Sequence, residues 1–180
     1  MKQRVLLATI VVGSIIGLDI ITKRWALASL YHGYPQEALG GLVPLTLAFN
    51  KGIAFGLPLP QAGRWLIIIA TFVVLHVLID LFRNAERGDW LRLTAVQLVA
   101  AGALGNLIDR VRWDRGVVDF IGPIDIGFMH WPIFNIADMS ITGGAIMLAI
   151  SLWREEAGAH AAARAAESTD DPRIANEPGT

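Results

Sequence analysis

Four long apolar segments constrain this chain more than any other feature of its sequence. They are Val5 to about Leu27, Trp65 to Phe82, Leu91 to Ile108 and Trp131 to Trp153. A helix needs roughly 20 such residues to cross a bilayer. Only 17% of the residues are charged, whereas soluble domains have about a quarter. The pattern predicts an all-α membrane protein with four transmembrane helices, in one domain of residues 1–153.

The composition excludes several classes of function. The sequence contains no Cys, which excludes disulfide frameworks, Cys-ligated metals and a Cys nucleophile. Its four His residues are scattered and show no HExxH spacing, so a zinc peptidase is not expected. We therefore expect neither a metal nor a cofactor. The formal net charge of −1 gives no reason to expect a nucleic acid partner.

The flanking charges predict the orientation in the membrane. An even number of spans places both termini on one side. That side carries Lys2, Arg4, Arg83, Arg87, Arg92 and Arg154. By the positive-inside rule these residues are cytoplasmic, so two long connections, about 29–64 and about 111–130, are periplasmic. The periplasmic side also carries basic residues, which keep the bias small: Lys51, Arg110, Arg112 and Arg115.

The first apolar segment has a second interpretation, as a cleaved signal peptide. Ala26-Leu27-Ala28 has the form of an A-x-A cleavage site. However, the apolar run is longer than a typical signal-peptide core, and Asp19 interrupts it. Lys23-Arg24 also directly precedes the supposed cleavage site. We therefore expect a retained transmembrane helix.

The periplasmic connections contain strand-like runs. Leu42–Phe49 lies between Gly and Pro breakers, and Val117–Ile121 is followed by a loop rich in Gly and Pro. These runs predict a small β-sheet at the membrane surface. Residues 154–180 are rich in Ala and acidic residues and lack an apolar face. This segment is expected to be a frayed helix followed by a disordered cytoplasmic tail.

Ionisable side chains in or beside a membrane span are energetically costly, so each one needs a physical reason. Five Asp residues are in this position: Asp19, Asp80, Asp109, Asp119 and Asp138. Asp80, at the cytoplasmic end of the second span, is interpreted as a solvated helix-end charge. The other four fall towards the periplasmic interface in the predicted orientation. They therefore predict a carboxylate cluster at one face of the bundle.

Two members of this cluster have competing interpretations. Asn135 and Asp138 are spaced i, i+3, as a helix N-cap and its partner would be. The uninterrupted apolar run from Trp131 instead places Asp138 inside a membrane span, which favours a functional role. Asp119 alone would be interpreted as an ordinary loop residue. Its neighbours are all apolar, however, and a charge in such a setting usually has a partner or a role.

Other residues of the spans have structural interpretations. Asp109-Arg110 is most simply a structural ion pair or an interfacial anchor, and His76 is expected to be hydrogen-bonded within the bundle rather than to be a ligand. Glycines of the third and fourth spans are expected to let helices approach closely: Gly102, Gly105, Gly143 and Gly144. Tryptophans at span ends fit an interfacial aromatic belt: Trp65, Trp131 and Trp153.

Two Asp residues would be sufficient for peptide hydrolysis. One carboxylate takes a proton from water, while the other, protonated, polarises the scissile carbonyl. Two close carboxyls cannot both ionise cheaply, so they share a proton and titrate as a coupled pair. An ion-coupled transporter or a non-catalytic scaffold could also use such carboxylates. A transporter usually has charges near the midplane and internal repeats, and neither is visible in this sequence.

Five motifs resemble those of the lipoprotein signal peptidases (signal peptidase II) of bacterial inner membranes. In chain order they are Asp19-Ile20-Ile21-Thr22-Lys23, Asn50-Lys51-Gly52-Ile53-Ala54-Phe55-Gly56, Gly105-Asn106-Leu107-Ile108-Asp109-Arg110, Val117-Val118-Asp119-Phe120 and Phe134-Asn135-Ile136-Ala137-Asp138. Each motif alone is weak. Five in order, interleaved with four apolar spans, are highly specific, and the resemblance covers roughly Val5 to Trp153.

The resemblance implies an aspartic endopeptidase with Asp119 and Asp138 as its catalytic pair. It also implies residues that bind substrate or support the site: Asp19, Lys23, Asn50, Gly52, Asn106, Asp109, Arg110, Asn135 and Ala137. The implied substrate is a prolipoprotein whose Cys carries diacylglycerol, cleaved on the amino side of that Cys near the periplasmic edge of the bilayer. The enzyme is expected to be a monomer that contacts this substrate and membrane lipids.

Overall fold

The computed structural model describes residues 2–38, 43–52, 61–86 and 88–169. Its helices are α1 (Lys2–Ser29), α2 (Gln61–Asn84), α3 (Trp90–Arg112) and α4 (Ile136–Thr169). Its strands are β1 (Gln36–Ala38), β2 (Val43–Asn50), β3 (Val117–Ile121), β4 (Ile124–Asp125) and β5 (His130–Trp131). Each helix is long and apolar enough to cross a membrane. The predicted four-helix membrane fold with a small sheet is confirmed.

Helix α3 is the centre of the bundle, because it packs against each of the other three helices. Its contact with α4 is the most extensive and depends on small residues. A Cβ atom on Gly102 would overlap the carbonyl oxygen of Ala137, and one on Gly144 would lie 2.8 Å from a carbonyl of α3. The predicted packing role is confirmed for these glycines and for Gly105. It is wrong for Gly143, where a Cβ would meet nothing within 4 Å.

The three-stranded sheet is antiparallel, with the order β1-β2-β3. It uses the two strand-like runs that were predicted from the connections. In β3, Val118 and Phe120 are buried in a core cluster with Ala26 of α1 and with Leu30, the residue that follows α1. Since successive side chains of a strand point to opposite faces, this packing directs Asp119 to the other face of the sheet.

Helix α4 begins later than predicted. The apolar run suggested a span from Trp131, but the helix begins at Ile136, and Trp131 belongs to β5. Pro132 has no N–H for a helix and disfavours helical backbone before it. Asn135 then caps the helix: its Oδ1 accepts from the backbone N–H of Asp138 at 2.8 Å, and its own N–H donates to Asp138 Oδ2 at 3.3 Å. The uninterrupted span is wrong, and the N-cap interpretation is confirmed.

Two outer parts of the molecule differ from expectation. His76 was expected to bond inside the bundle, but it lies on the exposed face of α2, where Asp80 is its neighbour at 3.8 Å. That prediction is wrong because α2 packs mainly against α3 through its opposite face. Of the tail expected to fray and become disordered, residues 154–169 continue α4 as a helix, and residues 170–180 lie outside the described residues.

Candidate active site

The carboxylates that were predicted to converge meet at one end of the bundle. There the second half of α1, the last two turns of α3, β3 and the first turn of α4 come together. Asp19, Asp109 and Asp119 are buried, and Asp138 is half-buried. Asp80 lies towards the end of α2 that adjoins the start of α3, at the opposite end of the bundle. The site therefore combines elements that are distant in sequence.

Lys23 is the cation that compensates the buried carboxylates. Its Nζ lies 2.7 Å from Asp19 Oδ2 and 2.9 Å from Asp109 Oδ2. It also donates to Asn106 Oδ1 at 3.1 Å. An ammonium group has three donors, and three acceptor oxygens lie within 3.1 Å of this one. The Lys23 side chain is only 3% exposed, so these protein oxygens take the place of water around its ammonium group.

The same carboxylates also bind backbone groups of α4 and β3, the elements that carry Asp138 and Asp119. Asp19 Oδ1 accepts the N–H of Ala137 at 3.0 Å, which is one of the N–H groups that the first turn of α4 cannot satisfy internally. Asp109 Oδ2 accepts the N–H of Val118 in β3 at 3.3 Å. Gly105 makes room for this arrangement, since a Cβ there would lie 2.8 Å from Asp19 Oδ2. The cluster thus positions both α4 and β3.

Two buried amides connect Lys23 to the candidate pair. Asn106 Nδ2 donates to Asp138 Oδ1 at 2.7 Å, and Asn135 Nδ2 donates to Asp119 Oδ1 at 2.7 Å. Asn135 Nδ2 also donates to Asn106 Oδ1 at 3.1 Å. Lys23 can only donate, so it requires the oxygen of Asn106 and leaves the Asn106 Nδ2 for Asp138. The ion cluster therefore determines how the amides face the two carboxyls.

Asp119 is placed to hold a proton near neutral pH. Burial, together with the nearby Asp138, raises the pKa of Asp119 from 3.8 to about 7. Hydrogen bonds from Asn135 and Asn50 and the charge of Lys23 oppose this rise in the pKa. A carboxyl with a pKa in this range can exchange a proton near neutral pH, which is the property of a general acid or base.

Arg110 and the end of β2 form another side of the site. Arg110 Nη2 donates to the carbonyl of Gly52 at 3.1 Å, and the N–H of Gly52 donates to Asn50 Oδ1 at 3.0 Å. These bonds attach the segment after β2 to α3. The rest of that motif, residues 53–56, lies outside the described residues.

The predicted ion pair between Asp109 and Arg110 is wrong. Asp109 forms its ion pair with Lys23, and the guanidinium of Arg110 extends to a backbone carbonyl of the segment after β2. Adjacent residues of a helix point about 100° apart, so their side chains do not face each other. Sequence proximity was a poor guide because the competing cation came from another helix.

One residue that supports the site was not predicted. Gly116, just before β3, has a φ of 94°, and a Cβ there would overlap the carbonyl oxygen of Asn50. The residue allows the end of β2 to approach the start of β3, which positions Asn50 beside Asp119. A glycine directly before a strand-like run was the available signal.

The described residues include no cluster of three or more His, Cys, Asp or Glu that could hold a metal ion. The acidic pair formed by Asp19 and Asp109 is already bridged by the ammonium of Lys23. The site residues are therefore organised around a protein cation.

Comparison with known proteins gives consistent matches. Residues 11–154 match the family model described as Signal peptidase (SPase) II. The lipoprotein signal peptidase of Hydrogenovibrio crunogenus is 40% identical over 152 residues, which cover 81% of this chain and 87% of that protein. The lipoprotein signal peptidase of Streptococcus thermophilus is 34% identical over 147 residues, covering 82% and 92%.

Solved structures agree with these relatives. A bacterial membrane enzyme determined by the in meso method superposes with a TM-score of 0.75 at 31% identity, covering 84% of this chain and 90% of that one. A second such structure gives a TM-score of 0.71 at 32% identity, covering 81% and 92%.

Proposed function

This chain belongs to the signal peptidase II family, and on that basis we propose that it removes signal peptides from prolipoproteins with Asp119 and Asp138 as the catalytic pair. Membership of a peptidase family replaces the transporter and scaffold hypotheses. The observation that carries the proposal is that Asn135 bonds to both residues of the pair. Its Nδ2 donates to the buried Asp119 carboxyl, and its Oδ1 accepts the backbone N–H of Asp138 in the first turn of α4. Asn135 thus contacts both carboxyls, that of Asp119 through its side-chain amide and that of Asp138 through its backbone N–H.

The surroundings of the two carboxyls support different roles. Both oxygens of Asp138 accept hydrogen bonds from N–H donors, one from Asn106 and one from the backbone of Asn135. This is the pattern of a carboxylate that can take a proton from water. Asp119, whose pKa is raised to about 7, is the group that donates a proton to the scissile carbonyl oxygen.

The reaction then needs no covalent intermediate. Water attacks the carbonyl carbon while Asp138 takes its proton, and Asp119 protonates the carbonyl oxygen. When the tetrahedral intermediate collapses, Asp119 recovers its proton from that oxygen, and Asp138 gives the proton it took to the departing amine. The C–N bond breaks, and both carboxyls return to their starting state.

The proposed substrate is a prolipoprotein whose Cys carries diacylglycerol, cleaved on the amino side of that Cys. On α3, the site residue farthest from the helix end is Asn106, six residues before Arg112. Six residues correspond to about 9 Å along the helix axis. A scissile bond at that depth would lie near the bilayer edge, while two acyl chains remain in the hydrocarbon. The exposed apolar surface of the helices is compatible with such chains.

The cellular setting is part of the same proposal. We place the protein as a monomer in the bacterial inner membrane, with both termini cytoplasmic and the site near the periplasmic face. The support is the flanking charge: Arg4 binds the carbonyls of Phe82 and Ala85, so the basic N-terminus and the end of α2 lie at the same end of the bundle. The catalytic cluster is at the other end.

The proposal is tested by prolipoprotein processing in membranes, followed by gel shift. Wild type is compared with Asp119→Asn and Asp138→Asn, and Asp80→Asn is the matched control at the opposite end of the bundle. Asn keeps the size and hydrogen bonding of Asp but cannot cycle a proton. We expect both site variants to lose cleavage at normal protein levels and the control to retain it.

The remaining outcomes are equally informative. If wild type leaves diacylglyceryl prolipoprotein uncut, the proposed activity is wrong. If a site variant retains near-normal cleavage, the family stands and the catalytic pair is wrong. A substrate whose Cys is replaced by Ser, and so cannot carry the lipid, should remain uncut; its cleavage at the wild-type rate would refute the lipid requirement.

A further inference from the structure

Two arginines next to the site have no role in it. Arg112 is the last residue of α3, Arg115 lies two residues before β3, and both side chains are exposed. Trp113 lies between them in the sequence. The guanidinium carbon of Arg112 is 5.0 Å from the centre of the Trp113 ring, and that of Arg115 is 4.2 Å from it. Arg115 is also 4.8 Å from the ring centre of Phe49.

The nearby carboxylate does not neutralise these charges. Asp114 forms an ion pair with Arg64, and Arg64 also binds the last carbonyls of α3. Within the described part of the chain, neither Arg112 nor Arg115 forms an ion pair with an acidic side chain. This end of α3 therefore presents two positive charges for which the described residues provide no counter-charge.

The ring contacts leave the donors of both arginines available. A guanidinium that lies over an aromatic ring uses its flat face, while its N–H groups point outward in the guanidinium plane. Such an edge matches two oxygens of a phosphate group. Trp113 is itself half-buried and packs against the core cluster of α1 and the sheet. The two guanidinium groups are thus held on a rigid support.

The depth of this surface matches that of lipid headgroups. Helix α3 has 23 residues and is therefore about 35 Å long, whereas the hydrocarbon core of a bilayer is about 30 Å thick. A helix of this length can place its last residue beyond the hydrocarbon, where lipid phosphates are found and where Trp is preferred. We propose that Arg112, Trp113 and Arg115 bind the headgroup phosphate of an anionic phospholipid. This surface is independent of the catalytic pair.

The test uses the full-length protein in detergent and native mass spectrometry. Wild type is titrated with phosphatidylglycerol and with phosphatidylcholine of the same acyl chains, and we expect it to retain the anionic lipid preferentially. The variant R112Q/R115Q should lose about 30-fold in affinity for phosphatidylglycerol, the loss expected for two basic residues at an anionic lipid surface. The single variant R115Q should lose about fivefold.

The matched control is R83Q/R154Q, which removes two exposed arginines from the opposite end of the bundle. Its affinity should change by less than about twofold, because both charges are far from the proposed surface. Circular dichroism and prolipoprotein cleavage show whether each variant is folded. Cleavage also separates this proposal from the proposed function, since a folded R112Q/R115Q enzyme that cuts substrate can still fail to bind lipid.

Three outcomes would overturn the proposal. Wild type could retain both lipids equally, or R112Q/R115Q could keep wild-type affinity for phosphatidylglycerol. Alternatively, inorganic phosphate could displace the lipid as effectively as unlabelled phosphatidylglycerol, which would assign the surface to free phosphate.

Discussion

Two charge pairs with the same helical spacing have opposite environments in this protein. Asp19 and Lys23 on α1 are 2.7 Å apart, and their side chains are 1% and 3% exposed. Asp80 and His76 on α2 are 3.8 Å apart, and their side chains are 55% and 78% exposed. Both pairs are spaced i, i+4. The difference arises because that face of α1 meets α3 and α4, whereas that face of α2 is turned away from the bundle.

The comparison shows what a buried charge requires. Lys23 has Asp109 and Asn106 as further partners, and Asp19 has the N–H of Ala137. Removal of one member of such a network leaves a buried charge uncompensated, which costs far more than the pair itself contributes. An exposed pair has no such dependence, because solvent or lipid headgroups replace the lost partner.

The largest expected effect is that of Lys23→Met. This change leaves two buried carboxylates without their cation, so we expect the free energy of unfolding to fall by about 3–5 kcal/mol. Cleavage should fall as well, because Asn106 loses the contact that orients its amide towards Asp138. Unfolding by SDS titration in mild detergent, together with the gel-shift assay, measures both. A variant as stable as wild type would contradict the role assigned to Lys23.

The next largest effect is expected for a glycine at a helix contact, compared with a glycine that faces away from the bundle. Gly102→Ala adds a Cβ that overlaps a carbonyl of α4, so the helices must separate at a cost of about 1–3 kcal/mol. Gly143→Ala meets no atom within 4 Å and should be neutral or stabilising by up to about 1 kcal/mol. Thermal unfolding of both variants checks the order. Equal destabilisation would show that the α3–α4 packing is described incorrectly.

Cleavage and stability should both depend on pH through the buried carboxyl of Asp119. Its pKa is raised to about 7, so the proton that the proposed mechanism takes from Asp119 is lost above that pH. Cleavage should fall about tenfold per pH unit above 7. The stability that the raised pKa provides is complete below about 3.8 and is lost as the pH rises through about 7, since the folded state binds the extra proton.

Two variants sharpen the acidity test. Asn135→Ala removes a hydrogen bond that lowers the Asp119 pKa, so the alkaline fall in residual cleavage should move to higher pH. Asp80→Asn should leave the whole profile unchanged. The profile is measured with purified enzyme in detergent over a range of buffers. A profile that is flat to well above pH 7 would exclude Asp119 as the proton donor.

These contrasts explain which features could be predicted from the sequence. The four spans and β3 are local apolar runs, so their positions followed from hydropathy and strand pattern, except for the start of the fourth span. The carboxylate cluster followed because each of its members lies near the end of a span. The roles of Asp119 and Asp138 were implied by motif resemblance, since the spacing alone also fitted a helix cap.

The remaining features depended on tertiary contacts. Lipid is as apolar as a bundle interior, so a membrane helix carries little periodicity to show which face is buried. For that reason the outward position of His76 and Gly143 could not be read from α2 and α4. The cation of Asp109 came from another helix, and the Asn135 cap outweighed an apolar run that looked continuous. The cation of Asp109 was therefore missed because it is distant in sequence, whereas the start of α4 was missed because a local cap was outweighed by hydropathy.

The smallest expected effect is that of Asp80→Asn on α2. The exposed contact of Asp80 with His76 should contribute no more than about 0.5 kcal/mol to the free energy of unfolding. SDS titration of Asp80→Asn and Lys23→Met at equal protein concentration compares the stability losses of the two variants. A loss comparable to that of Lys23→Met would show that this face of α2 is covered by a partner in the membrane. The contrast between the two pairs would then reflect the isolated chain rather than the assembled protein.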